Sequence, residues 1–235
     1  MLPAHTPQSH RRAHVTRLHK RRGHVGLLFV GALSVLAGMT DAIGFLATGD
    51  FVSFMSGNTT RLAVALGDGH GALAARLTLL ILAFVVGNAL GVIIARLTGK
   101  RAWPLLGLTA LLLLGAGLCG LQAELLAMFS AIIAMGMLNA AVEEVNGLPI
   151  GLTYVTGALS RFGRGLGRWL LGERRSGWRA QLVPWGGMFF GAVLGGLLEL
   201  HLGFAALLAS SALAALLAVA SLLIPRRWVQ RYMAR

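Results

Sequence analysis

Long apolar runs separated by short polar breaks dominate the chain from residue 26 to residue 224. An α-helix crosses the roughly 30 Å hydrocarbon core of a bilayer with about 20 apolar residues. Stretches of about this length occur at residues 26–47, 77–97, 104–121, 125–145, 182–200 and 204–224. The pattern therefore predicts an all-α, polytopic membrane helix bundle with six crossings.

Two further stretches are apolar but are broken by glycines and polar side chains. They cover residues 51–67 and 148–171. Their polar residues include Ser53, Ser56, Asn58, Thr59, Thr60 and Arg61 in the first stretch, and Thr153, Thr156 and Ser160 in the second. Irregular backbone at membrane depth is tolerated only where it is buried in protein or lines a water-filled cavity. We therefore predict two broken or re-entrant segments, each of which either crosses fully or returns to its own side.

The two halves of the chain share two motifs. Gly-Met-Thr-Asp-Ala at residues 38–42 recurs as Gly-Met-Leu-Asn-Ala at residues 136–140. Ser-Gly-Asn-Thr-Thr-Arg at residues 56–61 is echoed by Thr-Gly-Ala-Leu-Ser-Arg at residues 156–161. A repeat with a polar break at the same place in each half indicates a transporter-like site where the halves meet.

Glycine spacing extends the repeat into a third element. Two glycines four residues apart at residues 87–91 have counterparts at residues 191–195. This spacing lets two helix backbones approach closely in lipid, so close packing is the expected role of both pairs. The repeats are predicted at about residues 26–121 and 125–224.

Positive charge indicates how the two halves are oriented. After the first broken segment the chain carries only Arg61 and Arg76, offset by Asp50 and Asp68, whereas the counterpart in the second half carries six arginines. The next loop shows the reverse, with basic residues at 96–101 and none at 201–203. Because cytoplasmic loops retain Lys and Arg, this exchange favours inverted repeats with both termini cytoplasmic. Parallel repeats would require both broken segments to cross fully.

Composition and charge agree with a membrane protein. Hydrophobic residues make up 56% of the 235 residues and charged residues only 12%, about half the charged share of a soluble domain. The net charge of +13 is concentrated beside the apolar spans, as expected for segments that contact anionic lipid rather than nucleic acid. We predict a disordered basic cytoplasmic tail at residues 1–25, a single membrane domain at 26–224 and a basic cytoplasmic tail at 225–235, in the bacterial cytoplasmic (inner) membrane.

Asp41 is the sharpest candidate for a functional residue. A carboxylate within the first span would cost about 2.5–3.5 kcal/mol if it faced lipid, so it must face protein or water. One interpretation is a proton or cation relay, or a substrate contact. The other is a buried aspartate that caps the broken segment or bonds to the other half, through Asn139 for example.

The hydroxyl and amide groups of the broken segments complete the predicted substrate-binding or ion-binding site. Its residues are Asp41, Ser56, Asn58, Thr59, Thr60, Asn139, Thr153, Thr156 and Ser160. The alternative for these segments is packing of small residues around local helix kinks.

The sequence offers no basis for an enzymatic reaction. His70, His201 and the single cysteine, Cys119, form no recognisable nucleophile–base pair or metal-ligand cluster. We predict no catalytic residues, no metal site and no cofactor. The expected partners are the lipid bilayer and a small polar or ionic solute, without nucleic acid, and an oligomer is compatible with the sequence.

The chain resembles the YoaK family of bacterial multi-pass membrane proteins, which is defined by sequence and has no established reaction. The residues that carry the resemblance are Gly38, Asp41, Ala42, Phe45, Gly49, the run Met55-Ser56-Gly57-Asn58, Met137, Asn139 and Ala140. Threonine is common in that family where this chain has Ser56, which keeps a hydroxyl. Glutamine is common where this chain has Leu138. Leucine lacks the side-chain amide, so no ligand role is assigned to position 138. The resemblance implies a membrane fold rather than an activity.

The leading functional hypothesis is a small transporter or channel-like permease for a small polar or ionic solute, working by rearrangement of two inverted halves. The alternative is a non-transporting scaffold, sensor or partner-binding subunit in which the repeat serves packing alone. A continuous polar cavity between the broken segments, reached by Asp41, would favour transport. An interface filled by Leu, Val and Phe would favour the scaffold.

Overall fold

The fold is a bundle of helices, seen in a computed structural model that describes residues 7–119, 123–141, 144–145, 148–149, 152–174 and 177–225. The α-helices in these residues are α1 (Pro7–Thr48), α2 (Met55–Gly67), α3 (Gly71–Leu97), α4 (Ala102–Cys119), α5 (Glu124–Leu138), α6 (Val155–Leu170), α7 (Leu182–Leu202) and α8 (Leu207–Leu223). Short 3-10 turns, Trp178–Gln181 and Gly203–Ala206, precede α7 and α8. Strands β1 (Glu144–Val145) and β2 (Leu148–Pro149) form an antiparallel pair.

Four helical stretches of the described chain are long and apolar enough to cross a membrane. They are Arg22–Thr48, Gly71–Leu97, Ala102–Cys119 and Trp178–Leu223, the last of which contains both α7 and α8. The all-α character of the prediction is confirmed, and these four stretches agree with a polytopic membrane bundle, whereas the six crossings stay a prediction. The C-terminal tail beyond Pro225 lies outside the described residues.

The structure corrects the predicted helix at residues 125–145. Helix α5 ends at Leu138, and Asn139, Ala140 and Ala141 donate to carbonyls three residues back, which tightens the last turn. The chain then pairs β1 with β2 instead of continuing as a helix. The sequence between the two strands is Asn146-Gly147, a dipeptide that is strongly favoured in two-residue hairpin loops. The apolar pattern takes no account of this turn signal, so it predicts a helix that is too long.

The structure describes helix within the tail predicted as disordered at residues 1–25, of which residues 1–6 lie outside the described residues. Helix α1 begins at Pro7 and runs without interruption into the first apolar stretch. Residues 8–22 contain neither glycine nor proline, and Pro7 suits the first position of a helix. The basic composition that suggested disorder therefore does not prevent the helix of the first span from extending toward the N-terminus.

Glycines allow α1 to pack closely on α7 and α5 to pack closely on α3. A methyl group added to Gly191 would overlap the backbone of Val35, and one added to Gly195 would overlap that of Met39. In the other pair, Gly87 meets the backbone of Ile133 and Gly91 that of Met137. The predicted packing role of both glycine pairs is confirmed.

Residues that correspond by the predicted sequence repeat make both sets of contacts. Val35 and Met39 of α1 correspond by the sequence repeat to Ile133 and Met137 of α5. Gly38 approaches the backbone of Met188, and its counterpart Gly136 approaches the backbone of Phe84. The first helix of each half therefore packs against the third helix of the other half.

The directions of the packed helices follow from contacts along their lengths. Residue numbers rise together in α1 and α7, where Gly31 meets Gly187 and Val35 meets Gly191, so these helices are parallel. In α4 and α8 the order is reversed. The Ser211 hydroxyl donates to the Ala110 carbonyl at 2.7 Å, whereas Gly117, further along α4, packs against Leu208. Helices α4 and α8 are therefore antiparallel.

The buried core is apolar and continuous through the bundle. Its largest fully buried side chains are Leu33, Leu36, Ile43, Leu77, Leu80, Leu105, Leu106, Leu113, Met128, Ile132 and Met135. Apolar side chains such as Leu79, Leu82 and Val85 of α3 point outward and are more than half exposed. An apolar exterior around an apolar core is the pattern of a helix bundle surrounded by lipid.

Candidate functional site

The first broken segment turns back into the bundle after α1. Helix α1 ends at Thr48, and Gly49 adopts a positive φ of 76° that lets the chain reverse. The Ser53 amide then donates to Asp41 Oδ1 at 2.7 Å. Since an α-helix rises about 1.5 Å per residue, Asp41 lies about 10 Å before the end of α1. Helix α2 therefore starts at the depth of Asp41.

Asp41 holds this returning segment in place. Its side chain is buried, with 7% of the residue exposed, and the backbone amides of Val52 and Phe54 lie close to the carboxyl group. The Ser53 amide precedes α2, so the carboxyl group fixes the returning chain just before the helix begins. The geometry matches the capping interpretation of Asp41 given by the sequence.

Asn58 fixes the same segment from the opposite side. The Phe51 amide donates to its Oδ1 at 3.1 Å, and its Nδ2 donates to the Phe51 carbonyl at 2.7 Å. Phe51 also stacks on Phe45, with 4.6 Å between ring centroids. Because Asn58 is fully buried and both ends of its amide serve the backbone, it shapes the site instead of facing it.

The second broken segment is held by a related contact, which uses a side-chain hydroxyl and a neutral acceptor. The Thr153 hydroxyl donates to Asn139 Oδ1 at 3.2 Å, in the place where Ser53 meets Asp41 in the first half. Asn139 Nδ2 donates to the Met135 carbonyl of its own helix at 3.3 Å. Helix α6 begins two residues after Thr153, just as α2 begins two residues after Ser53.

A buried ion cluster holds the far turns of the first half together. Asp50 is 1% exposed and pairs with Arg61 of α2 and, at 2.7 Å, with Nε of Arg76 in α3. Arg61 also donates to the Gly49 carbonyl at 2.6 Å. Arg61 therefore lies beside the residues that follow α1. Helix α2 thus begins at the depth of Asp41 and runs back toward the C-terminal end of α1.

The corresponding turn of the second half is held differently. Arg161 Nε donates to Gln181 Oε1 at 2.8 Å, without a carboxylate partner among the described residues. A Cβ atom placed on Gly157 would lie 3.4 Å from Arg161 NH1. The guanidinium group therefore lies along the first turns of α6.

A cavity of about 460 Å³ lies between the N-terminal turns of α2 and α6. Its lining residues are Ser53, Phe54, Met55, Ser56, Thr59, Phe84, Thr153, Tyr154, Val155, Thr156 and Gly157. The volume is within the range of small-molecule sites, which are concave, largely apolar and equipped with a few polar groups. The two broken segments therefore form one cavity together.

The polar groups of this cavity are hydroxyls and helix amides. Neither Phe54 nor Tyr154, which precede α2 and α6, supplies a side-chain cap, so the first amides of both helices are not capped in this way. The Ser53 hydroxyl is buried beside the Asp41 carboxyl group and has almost no surface in the cavity. The residues that line the cavity carry no charged side chain.

Four of the nine predicted site residues line the cavity. They are Ser56, Thr59, Thr153 and Thr156. Asp41, Asn58 and Asn139 lie behind the lining, and their side chains hold the segments that form it. Thr60 donates to the Ser56 carbonyl at 3.1 Å and Ser160 accepts from Arg164 at 2.8 Å, so both engage their own helices outside the cavity.

Sequence reasoning omitted the residues that precede each half-helix. Ser53, Phe54 and Tyr154 line the cavity but were not predicted as site residues. Phe54 and Tyr154 stand at corresponding positions of the repeat, one residue before α2 and α6, and that correspondence was the available signal. The sequence analysis counts Asp50 and Arg76 only as charges of the loops, whereas their side chains form an ion pair in the fold.

The other candidate sites, a second cavity and possible metal-binding groups, are weaker than the cavity between α2 and α6. A second cavity of about 300 Å³ lies where the start of α4 meets the end of α8, with Lys100, Arg101 and Trp103 among its lining residues. It shares no lining residue with the cavity between the half-helices. Within the described part of the chain, no three His, Cys, Asp or Glu side chains come together as a group that could hold a metal ion.

Comparison with known proteins gives the family but no activity. Residues 29–220 match the family model described as "Protein of unknown function (DUF1275)". The chain is 52% identical over 215 residues to a protein of Rhizobium meliloti (strain 1021) called UPF0700 transmembrane protein RA0705, covering 92% of this chain and 94% of that protein. No solved structure matches the chain at a significant level. Because the family model covers most of the 235 residues, the chain belongs to the DUF1275 family of membrane proteins, whose function is unknown.

Proposed function

We propose that the chain is a permease that moves a small polar or ionic solute through the cavity between α2 and α6. The observation that carries this proposal is the meeting of two half-helix N-termini at one cavity lined by hydroxyls. Solute sites of many secondary transporters lie at a repeat interface and are built from discontinuous helices whose ends face the solute. The meeting of α2 and α6 at one cavity supports the same design for this chain.

The proposal includes an inverted relation between the two halves. Helices α4 and α8 are the last helices of the two repeats and therefore correspond, yet they pack antiparallel. Equivalent helices of parallel repeats would point the same way through the membrane, whereas those of inverted repeats point in opposite ways. The antiparallel packing thus favours the inverted arrangement, as does the exchange of positive charge between equivalent loops.

Re-entry of the broken segments makes the crossing number consistent with this relation. Helix α2 starts beside Asp41 and returns toward the end of α1, as its Arg61 contacts indicate. If α2 and α6 both re-enter, α1, α3, α4, α5, α7 and α8 make six crossings, and both termini lie on one side. The positive-inside rule then puts that side in the cytoplasm of a bacterial cell.

The scaffold alternative explains the repeat but not the chemistry of the cavity. A packing interface is expected to fill with aliphatic side chains, and Phe54, Met55 and Phe84 do contribute apolar surface. However, hydroxyl-bearing residues of both halves, Ser56 and Thr59 in one and Thr153 and Thr156 in the other, line the same space. A few polar groups in a concave, largely apolar cavity are typical of a small-molecule site, so a hydrated or solute-filled cavity is the better account.

Filling the cavity should block solute movement. Thr156→Trp places an indole at the N-terminus of α6, and we expect it to reduce solute entry into proteoliposomes to the rate of protein-free vesicles. Entry is measured by stopped-flow light scattering with a panel of neutral amides and polyols, potassium salts and small carboxylates. The matched control is Ser160→Trp, one turn further along α6 and outside the cavity.

Two results would contradict the permease. One is a folded wild-type protein that moves none of the panel faster than protein-free vesicles. The other is a Thr156→Trp variant that conducts as fast as the Ser160→Trp variant. Either outcome would shift the evidence to a scaffold or partner-binding role.

A further inference from the structure

We propose that the cavity where α4 begins and α8 ends binds the headgroup of an anionic phospholipid, with Lys100 and Arg101 on its phosphate. This cavity, of about 300 Å³, shares no lining residue with the cavity between α2 and α6. The inference does not depend on the permease, because lipid binding is measured on the purified protein without any transport.

The cavity lies at one end of two candidate membrane spans. Ala102–Cys119 contains all of α4, and the stretch Trp178–Leu223 ends with α8. Because α4 and α8 are antiparallel, the start of α4 meets the last turn of α8 at the cavity. The ends of membrane spans lie at the depth of lipid headgroups, so the phosphate layer of the bilayer is within reach of this cavity.

The two charged residues that line the cavity are both basic. Lys100 and Arg101 form no ion pair within the part of the chain that the structure describes. The sequence has no aspartate or glutamate at residues 69–123 or 200–235, which include α4 and α8. It continues from Pro225, which also lines the cavity, with two further arginines. Basic pockets between membrane helices bind phosphate-bearing headgroups, so an anionic occupant is expected here.

The backbone holds Lys100 in a strained conformation at the cavity. Lys100 has a φ of 57°, and within the described residues it alone combines a side chain with a positive φ. Its amide donates to the Ala95 carbonyl at 2.7 Å, and the Gly99 amide donates to the Arg96 carbonyl at 3.1 Å, which is the pattern of a Schellman motif at the end of α3. Glycine adopts a positive φ without strain, whereas lysine does not. A strained residue that lines a cavity indicates a role for its side chain there.

Apolar side chains beside the basic ones distinguish a lipid from a soluble phosphate compound. Leu222 and Leu223 line the same cavity and are 61% and 85% exposed. Trp103 also lines it and is 44% exposed, and tryptophan is enriched at the headgroup level of membrane proteins. A ligand with a phosphate and acyl chains can contact both groups of side chains at once, whereas inorganic phosphate contacts only the basic ones.

The test is binding of dioleoyl phosphatidylglycerol to the purified protein in a neutral detergent. We expect the unfolding temperature to rise with lipid concentration and then to saturate, because a ligand of the native state stabilises it by mass action. Dioleoyl phosphatidylcholine has the same chains but no net charge, so it should give a much smaller rise at the same concentrations. Equal stabilisation by the two lipids would overturn the proposal.

Arg101→Gln and Arg96→Gln form a matched pair of variants. Both remove one positive charge from the same end of the bundle, but only Arg101 lines the cavity. A basic residue beside anionic lipid contributes roughly fivefold in affinity. We therefore expect Arg101→Gln to weaken phosphatidylglycerol binding by about fivefold and Arg96→Gln by less than about twofold. Similar losses in the two variants would indicate general charge attraction and reject a site.

Lys100→Gly separates the side chain from the backbone that carries it. Glycine suits the φ of 57°, so the lipid-free variant should unfold at the same temperature as wild type or higher. Its binding of phosphatidylglycerol should nevertheless weaken by about fivefold, because the ammonium group is lost. If Lys100 served only the turn, lipid binding would be unchanged, and that result would contradict the proposal.

The apolar wall is tested by Leu223→Asn. We expect this variant to bind phosphatidylglycerol severalfold more weakly, because a polar side chain replaces surface that contacts the acyl chains. The matched control is Leu97→Asn, since Leu97 ends α3, is 82% exposed and does not line the cavity. Equal binding by the two variants would remove the acyl chains from the site.

Potassium phosphate and glycerol phosphate distinguish a lipid from a soluble occupant. Neither should stabilise the protein at concentrations at which phosphatidylglycerol saturates, because neither reaches the apolar wall. Saturable stabilisation by either compound, lost in Arg101→Gln, would overturn the lipid in favour of a soluble phosphate ligand.

Discussion

Gly191→Ala is expected to destabilise the bundle strongly, because the added methyl group would overlap the backbone of Val35 at the contact between α1 and α7. Backbone cannot move aside as a flexible side chain can, so the two helices must separate along their length. We expect a loss of about 1–3 kcal/mol or more in the free energy of unfolding, the range found for overpacked sites. The measurement is a denaturant or SDS titration of the purified protein.

The control for this substitution is Gly115→Ala in α4. A methyl group at Gly115 meets no atom within 4 Å, and alanine is the better helix former, so stability should stay the same or rise by up to about 1 kcal/mol. Gly87→Ala tests the equivalent contact between α3 and α5, and its loss should resemble that of Gly191→Ala. Similar unfolding curves for Gly191→Ala and Gly115→Ala would show that the close approach is not needed.

Asp41→Ala should be the second strongly disruptive change. It removes the acceptor of the Ser53 amide and leaves the neighbouring amides of Val52 and Phe54 without the carboxyl group. A buried donor left unsatisfied costs about 1–3 kcal/mol, so the loss over this segment should be about 3 kcal/mol or more. Unfolding in SDS, followed by tryptophan fluorescence, measures it, with the exposed loop residue Asp68 changed to alanine as the control.

Asp41→Asn separates the two interpretations of this residue. The amide keeps one acceptor oxygen, so a capping role predicts a smaller stability loss than in Asp41→Ala and retained solute flux. A proton relay predicts normal stability with flux that no longer responds to a proton gradient. The second pattern would require Asp41 to exchange protons with the solute pathway, against the placement seen here.

Much of the helical framework was predictable because its signal is local. Apolar stretches of membrane-spanning length gave the positions of α3, α4, α7 and α8, and glycine spacing indicated which faces pack closely. The start of α1 and the end of α5 were wrong for a shared reason. Hydropathy reports whether a segment suits lipid, whereas helix ends depend on propensity, capping and turn dipeptides.

The candidate site was predictable in its location but less so in its residues. The paired polar breaks pointed to a meeting of the two halves, and both breaks line the same cavity. The sequence could not tell which side chains face the cavity, because that depends on how each segment returns into the bundle. Asp41 and Asn58 therefore looked like ligands, although their hydrogen bonds serve the backbone.

The ion cluster of the first half illustrates the same limit. Asp50, Arg61 and Arg76 lie on three different segments and meet only because α2 returns toward the end of α1. Arg61 and Arg76 each keep about a third of their side-chain surface exposed, at 35% and 32%. Their contribution to stability should therefore be smaller than that of a fully buried pair.

Cross-linking of Ser56→Cys to Thr156→Cys tests the central claim that the two half-helices begin at one shared cavity. In a Cys119→Ser background, a short bifunctional thiol reagent applied to native membranes should join this pair within one chain. The Thr60→Cys and Ser160→Cys pair, which lies outside the cavity, should not be joined. Absence of the first cross-link while each cysteine reacts singly, or equal cross-linking of the two pairs, would contradict the account.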